Sequence, residues 1–239
     1  MKTLSQRPTE LAQKRTFYRH PLVVAEYDRR RFGGASGAWV NEREIASIME
    51  LLPESGCILD LGCGTGRLSQ RLVARGYEVV LLDASDAMLA RAVPMVGAPA
   101  VLADAFALPF VPHAFDAVVG LRLAFHFANL DSLVESAAGV LRPGGRFVFD
   151  TYRWSPRAIV ALGKRQWGGK VHVHSESTVR LAAKRAGLRP ILQSSCFLFS
   201  PYLYRLLPLA VIQALVRAEK HLPEGARVRE FWSIEKPGD

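Results

Sequence analysis

The stretch Ile58–Leu72, ILDLGCGTGRLSQRL, decides the fold. An apolar run of strand length leads into glycines at 62, 64 and 66, then into a segment with apolar residues at helical spacing. Strand, glycine turn and helix in that order open a βαβ unit. The register of the glycines separates the ligands such a turn can serve. A dinucleotide fingerprint needs Gly-x-Gly-x-x-Gly or Ala, so that the helix packs close to the strand. Here Gly62 and Gly64 are followed in the third place by Arg67, which is too large. A phosphate loop would run on into Gly-Lys-Ser/Thr, and this one does not. What stands instead is Asp60 ahead of Gly62, Cys63 and Gly64: a carboxylate beside backbone that a ligand can approach closely. That arrangement suits a ligand carrying an amine and no pyrophosphate.

Outward from this turn the chain keeps one rhythm. Strand-like runs CILDL, EVVLLD, APAVLA, FDAVVGL and RFVFDTY alternate with the helical stretches GRLSQRLVARG, SDAMLARAV and LDSLVESAAGVLRPGG. Asp86 and Asp131 suit two helix starts, and the RPGG cluster is expected to end the last helix. Such alternation predicts an α/β fold with a doubly wound, mostly parallel sheet and helices on both faces. In such a sheet the ligand lies beyond the carboxyl ends of the central strands. Asp83 closes the second strand about 20 residues after the glycine turn, the usual place for a carboxylate that accepts ribose hydroxyls. After the third strand, Asp104 and Ala105 offer a carboxylate and a backbone N–H to an adenine edge. An amine, a ribose and an adenine together describe S-adenosylmethionine.

The segments ILDLGCGTG, VVLLDASDAML, VLADAFALPF, FDAVVGLRLAFHF and VLRPGGRFVFDTY occur in that order over residues 56–152. In them the chain resembles the class I S-adenosylmethionine-dependent methyltransferases, in particular the small-molecule branch with the ubiquinone and menaquinone enzymes. The resemblance implies a Rossmann-like methyltransferase fold with a seven-stranded sheet and a helical cap. It implies that Asp60, Gly62, Cys63 and Gly64 line the methionine side, and that Asp83 binds the ribose. It places Ala84 and Met88 beside the adenine, Asp104 and Ala105 at its amine, and Leu121 and Arg122 facing the methyl donor. One domain over residues 1–239 is expected, with a helical cap in 1–55, a cofactor-binding half in 56–152 and a substrate-side half in 153–239.

For catalysis, His126 just past the fourth strand is the candidate base, set against a histidine merely packed beneath the cap. Tyr27, Arg31 and Phe32 in YDRRRFGG are candidates to wall off the donor, with an aromatic ring against the sulfonium. His172 and His174 alternate and would share one face of an extended segment, but no third ligand accompanies them, so no metal is expected. Cys57, Cys63 and Cys196 are odd in number and scattered, as in a reduced protein. The N-terminus lacks the apolar core of a signal peptide, so a cytoplasmic protein is expected.

The acceptor is less legible. A net charge of +9, concentrated in YDRRRF, GKRQWGGK and RLAAKRAGLR, draws nucleic acid, anionic lipid or acidic small molecules alike. Motifs of base-methylating enzymes are absent: GLRLAF stands after the fourth strand, and Cys196 follows two serines. Nucleic acid is therefore not the expected partner. FLFSPYLYRLLPLAVIQALV is broken by Pro201, Arg205 and Pro208, too often for a membrane span. It reads as a lid over a small-molecule or lipid-like acceptor, with Trp154 and Trp167 nearby, or as a peripheral contact with a membrane. A non-catalytic S-adenosylmethionine-binding module and an RNA methyltransferase are the alternatives.

Overall fold

The computed structural model describes residues 8–159 and 170–238. Three helices come first: α1 (Pro8–Arg19), α2 (Pro21–Phe32) and α3 (Gly34–Met49). Then β1 (Cys57–Leu61), α4 (Arg67–Ala74), β2 (Glu78–Asp83), α5 (Asp86–Val96), β3 (Ala100–Leu102) and β4 (Phe115–Gly120) follow in alternation. The chain continues through α6 (Asp131–Val140), β5 (Leu141–Tyr152), α7 (Pro156–Ile159), α8 (Glu176–Arg185) and β6 (Arg189–Cys196). It closes with α9 (Pro201–Tyr204), α10 (Leu209–Glu219) and β7 (Arg229–Glu235). Trp167 and most of the basic run GKRQWGGK lie outside the described residues.

The seven strands lie in the order β3-β2-β1-β4-β5-β7-β6. All neighbours pair parallel except β7, which runs antiparallel between β5 and β6. The order reverses between β1 and β4, so the crevice of this doubly wound sheet opens at their carboxyl ends. The glycine turn leaves β1 at that place.

Strand periodicity sorts the apolar residues into two cores. Ile58, Val79, Leu81 and Val119 face Ile45, Ile48, Leu68, Leu72 and Leu89 on one side. Leu59, Leu61, Val118 and Phe147 face Leu133, Val134, Ala137 and Val179 on the other. Adjacent residues such as Ile58 and Leu59 are both fully buried because a strand points them to opposite faces, each covered by helices. Each such side chain contributes about 1.5–3 kcal/mol on burial.

One boundary differs from the sequence expectation. Helix α6 stops at Val140, and RPGG lies inside β5 rather than ending the helix. Leu141 already pairs with Phe115, and the register then jumps to Ala117 opposite Arg146. The Pro-Gly-Gly residues form the irregularity between, where Gly144 donates its N–H to the Lys236 carbonyl at 2.8 Å. The helix thus ends before the breaker cluster is reached, and the chain following β7 takes up the hydrogen bond of its glycine.

Candidate active site

The turn after β1 is built from left-handed backbone. Gly62, Gly64 and Gly66 have φ of 72°, 56° and 81°, a region that residues with a Cβ rarely enter. Gly62 and Cys63 donate their N–H groups to the Leu82 carbonyl at 2.7 and 3.0 Å, which binds the turn to β2. A Cβ on Gly66 would come within 2.7 Å of Val96. A Cβ on Gly64 would meet no protein atom within 4 Å. Gly66 is therefore needed for packing, whereas Gly64 borders open space.

Asp83 ends β2 and faces the same space. Its two carboxylate oxygens accept N–H bonds from Gly64 and Ser85, each at 2.8 Å. Burial pushes its pKa up, and those backbone donors pull against the rise. Ser85 caps α5 by accepting the Met88 N–H at 3.2 Å, which sets Ala84 and Met88 along one wall. Asp104 and Ala105, after β3, line it as well. Leu121 and Arg122 leave β4 on the floor, and His126 faces the cavity from the 3₁₀ turn that follows.

Three of the sequence-predicted cofactor-side residues, Asp60, Arg31 and Phe32, stand away from this cavity. Asp60 is 2% exposed at the end of β1 and accepts the Ser69 hydroxyl at 2.5 Å, behind the glycine turn. Burial raises its pKa to about 6 despite that bond. Arg31 is buried with its guanidinium 5.3 Å from the Tyr27 ring and 5.7 Å from the Tyr202 ring. Of the two aromatic wall candidates, Tyr27 lines the cavity, whereas Phe32 packs beneath the Arg67 guanidinium at 4.2 Å. His172 and His174 lie in irregular chain, their N–H groups donated to the Phe125 and Tyr152 carbonyls. Among the described residues no group of three metal-ligating side chains is assembled.

The cap contributes groups that the sequence reading did not single out. Helix α1 lays Lys14, Arg15 and Tyr18 over the cavity. Arg15 forms an ion pair with Asp104, and Lys14 donates to the His126 carbonyl at 2.7 Å. The only local signal was a basic, aromatic run at Lys14–Arg19, and such runs are usually solvated. Burial holds the His126 pKa well below 6.5, reinforced by Lys14, Arg31, Arg157 and Arg122. Its imidazole is neutral at neutral pH and has one nitrogen able to accept a proton.

Beneath the floor lies a buried ionic nest. Glu44 on α3 accepts from Arg122 and Arg229 at 2.8 Å and from Arg67 at 3.1 Å. Asp150 accepts from the Arg229 guanidinium at 2.8 and 2.5 Å and from the Arg122 N–H. These bonds hold Arg122 in a left-handed conformation, φ 63°, at the end of β4. Glu44 is held near a pKa of about 2: burial would raise it, but Arg122, Arg229 and Arg67 prevail.

A doubly wound sheet with a glycine turn, a carboxylate ending β2 and a second after β3, all at the switch point, defines a nucleoside-cofactor-binding α/β domain. Residues 59–149 match the family model described as "Methyltransferase domain". Over that segment the chain is thus similar to methyltransferase domains. It is 34% identical over 148 residues to a malonyl-[acyl-carrier protein] O-methyltransferase of Methylococcus capsulatus, covering 59% of this chain and 54% of the relative. It is 29% identical over 113 residues to a ubiquinone biosynthesis O-methyltransferase of Stutzerimonas stutzeri, covering 42% of this chain and 46% of the relative. The chain therefore spans about half the length of these curated relatives. Its fold is similar to that of geranyl diphosphate C-methyltransferase from Streptomyces coelicolor, with TM-score 0.68, 16% identity and coverage of 98% and 100% of the two chains.

The residues at the cavity suit S-adenosylmethionine. Open space over Gly64 leaves room for a ligand against bare backbone, and the Asp83 carboxylate matches a diol. The neighbouring walls combine apolar Met88 with polar Asp104, as a purine would require.

Proposed function

We propose that this chain transfers a methyl group from S-adenosylmethionine to a small-molecule or lipid-like acceptor by in-line displacement. The observation that carries the reading is the convergence on one cavity of Gly64, Asp83, Asp104 and His126, roofed by α1 and α2. When bound, the cofactor supplies an electrophilic methyl group on a sulfonium. The chain's own share is binding and alignment, which is worth roughly 7–11 kcal/mol of barrier when two reactants are held in line.

In this reading Gly62, Cys63 and Gly64 hold the methionine side and Asp83 takes the ribose hydroxyls. Ala84 and Met88 flank the adenine, Asp104 and Ala105 read its edge, and Leu121 and Arg122 face the donor. Asp60 acts from behind, bracing the glycine turn through Ser69, and Arg31 acts through the aromatic wall. For Asp104 to meet an adenine amine, Arg15 must yield; the pair is part-exposed and so weakly held. His126 is the base that takes a proton from an acceptor hydroxyl. Both curated relatives are by name O-methyltransferases, which supports oxygen as the accepting atom.

The chain is further proposed to act as one domain in the cytoplasm. Among the described residues no helix is long and apolar enough to cross a membrane. Leu203, Leu206 and Leu209 are exposed on the cap and would serve a peripheral lipid contact. Calorimetry with S-adenosylmethionine followed by a product assay over hydroxyl, carboxylate and amine acceptors tests the proposal. Binding with no product from any acceptor would point to the non-catalytic module; product only from RNA would overturn the acceptor class.

A further inference from the structure

Tyr202, on the short helix α9, carries an unusual set of hydrogen bonds. Its phenol oxygen accepts from Arg31 at 2.5 Å, Arg157 at 2.6 Å and Arg122 at 3.0 Å. These guanidiniums come from α2, α7 and the end of β4, so three separate elements aim positive charge at one point. A neutral phenol has lone pairs for at most two such bonds. Three charged donors on one oxygen fit an anion better than an alcohol. The position is also wedged between two spaces. Arg122 lines the cofactor cavity, whereas Arg157 and Tyr202 line a second cavity of about 370 Å³. Apart from Ser200, the rest of that second cavity is apolar, with Trp154, Pro156, Phe199, Leu203 and Leu206.

We propose that Arg31, Arg122 and Arg157 form a recognition site for an anionic group of the acceptor, a carboxylate or a phosphate. The acceptor's apolar body lies in the second cavity, and its charged end is directed toward the methyl donor. This rests on the methyltransferase reading above and narrows its substrate class to amphiphilic anions. A carboxylate or phosphate offers two or three oxygens, so each guanidinium gains an acceptor of its own, with the bidentate geometry that arginine favours. The Tyr202 oxygen satisfies the same donors when it occupies their meeting point, and it gives way when α9 shifts. Burial pushes the Tyr202 phenol up, but Arg31, Arg122, Arg157 and Arg229 together pull it down to about 7, as expected where an anion is favoured. Glu44 takes up part of the Arg122 charge at 2.8 Å, but its other contacts and the side-chain contacts of Asp150 run to Arg67 and Arg229, not to Arg31 or Arg157.

The test uses the full chain saturated with S-adenosylhomocysteine and three probes with the same apolar body: octanoate, octyl phosphate and octanamide. Calorimetry is expected to show octanoate or octyl phosphate binding at least about tenfold tighter than octanamide, the effect of one good charge-assisted bond. The tighter of the two names the anion. R157Q, at a half-buried residue away from the cofactor cavity, should erase most of that preference while leaving S-adenosylhomocysteine affinity within about twofold. Y202F should tighten anion binding, since it removes the competing oxygen. Equal affinity for octanoate, octyl phosphate and octanamide, or a preference that survives R157Q, overturns the proposal. If S-adenosylhomocysteine does not bind, the methyltransferase reading fails by itself, and the three titrations repeated without it still decide the anion site.

Discussion

Replacing Glu44 by Gln tests the ionic nest that positions Arg122. The side chain is fully buried and its carboxylate meets three guanidiniums. Gln keeps the shape and one carbonyl acceptor but removes the charge. The magnitude follows from the pKa, which falls from 4.5 to about 2 in the folded protein. At about 1.4 kcal/mol per unit, that is about 3 kcal/mol of stability at neutral pH. The cost of removing one partner from a buried pair, about 3–5 kcal/mol, agrees. The sign is that of a depressed carboxylate: the contribution is complete above pH 4.5 and is lost as pH falls toward 2. Urea unfolding of both proteins at pH 7 should therefore separate them by about 3 kcal/mol, and the gap should narrow only below pH 4.5. A separation under about 1 kcal/mol at pH 7, or a gap that does not change down to pH 3, would refute the reasoning.

Other outcomes follow from the same geometry. Asp83→Ala should weaken S-adenosylmethionine binding by about 2–4 kcal/mol, since two charge-assisted bonds go; unchanged affinity by titration would remove Asp83 from the ribose role. Gly64→Ala and Gly66→Ala should part company: both force a Cβ into left-handed backbone, but the first also lowers cofactor affinity because its Cβ projects into open space, while the second lowers the thermal midpoint further because its Cβ strikes Val96. His126→Asn should cost about 10²-fold in kcat, and wild-type turnover should stay level from pH 8 to below 6.5, because burial keeps the imidazole neutral there. A rate that halves at pH 6.5 and follows His126 would contradict this. His174 is held by burial at a pKa of about 4, so the unfolded chain takes up its proton first as pH drops. Its share of stability is full above pH 6.5 and declines by about 3 kcal/mol toward pH 4, a slope that His174→Gln should flatten in pH-dependent melts.

The amino-acid sequence by itself determined the α/β alternation, the glycine turn and the carboxylate that ends β2. Each of these is a local signal: alternating or helical spacing within a few residues, a glycine register, a strand terminus with Asp83. The turn's three left-handed glycines and the capping Ser85 follow from preferences of single residues. Tertiary structure alone decided the insertion of β7 between β5 and β6, the lowering of α1 onto the cavity, and the turning of Asp60 toward Ser69. It alone joined Glu44 to Arg229, 185 residues apart, and Arg31 to Tyr202, 171 apart. In sequence these are ordinary residues, Glu44, Arg31 and Tyr202 on helices and Arg229 at a strand start, because a long-range ion pair or hydrogen bond leaves no mark on the spacing around either partner. Their meeting depends on how helices from the two ends of the chain pack across the sheet. Burial then makes the pairing obligatory, since an unpaired charge in that interior would cost more than the fold can supply.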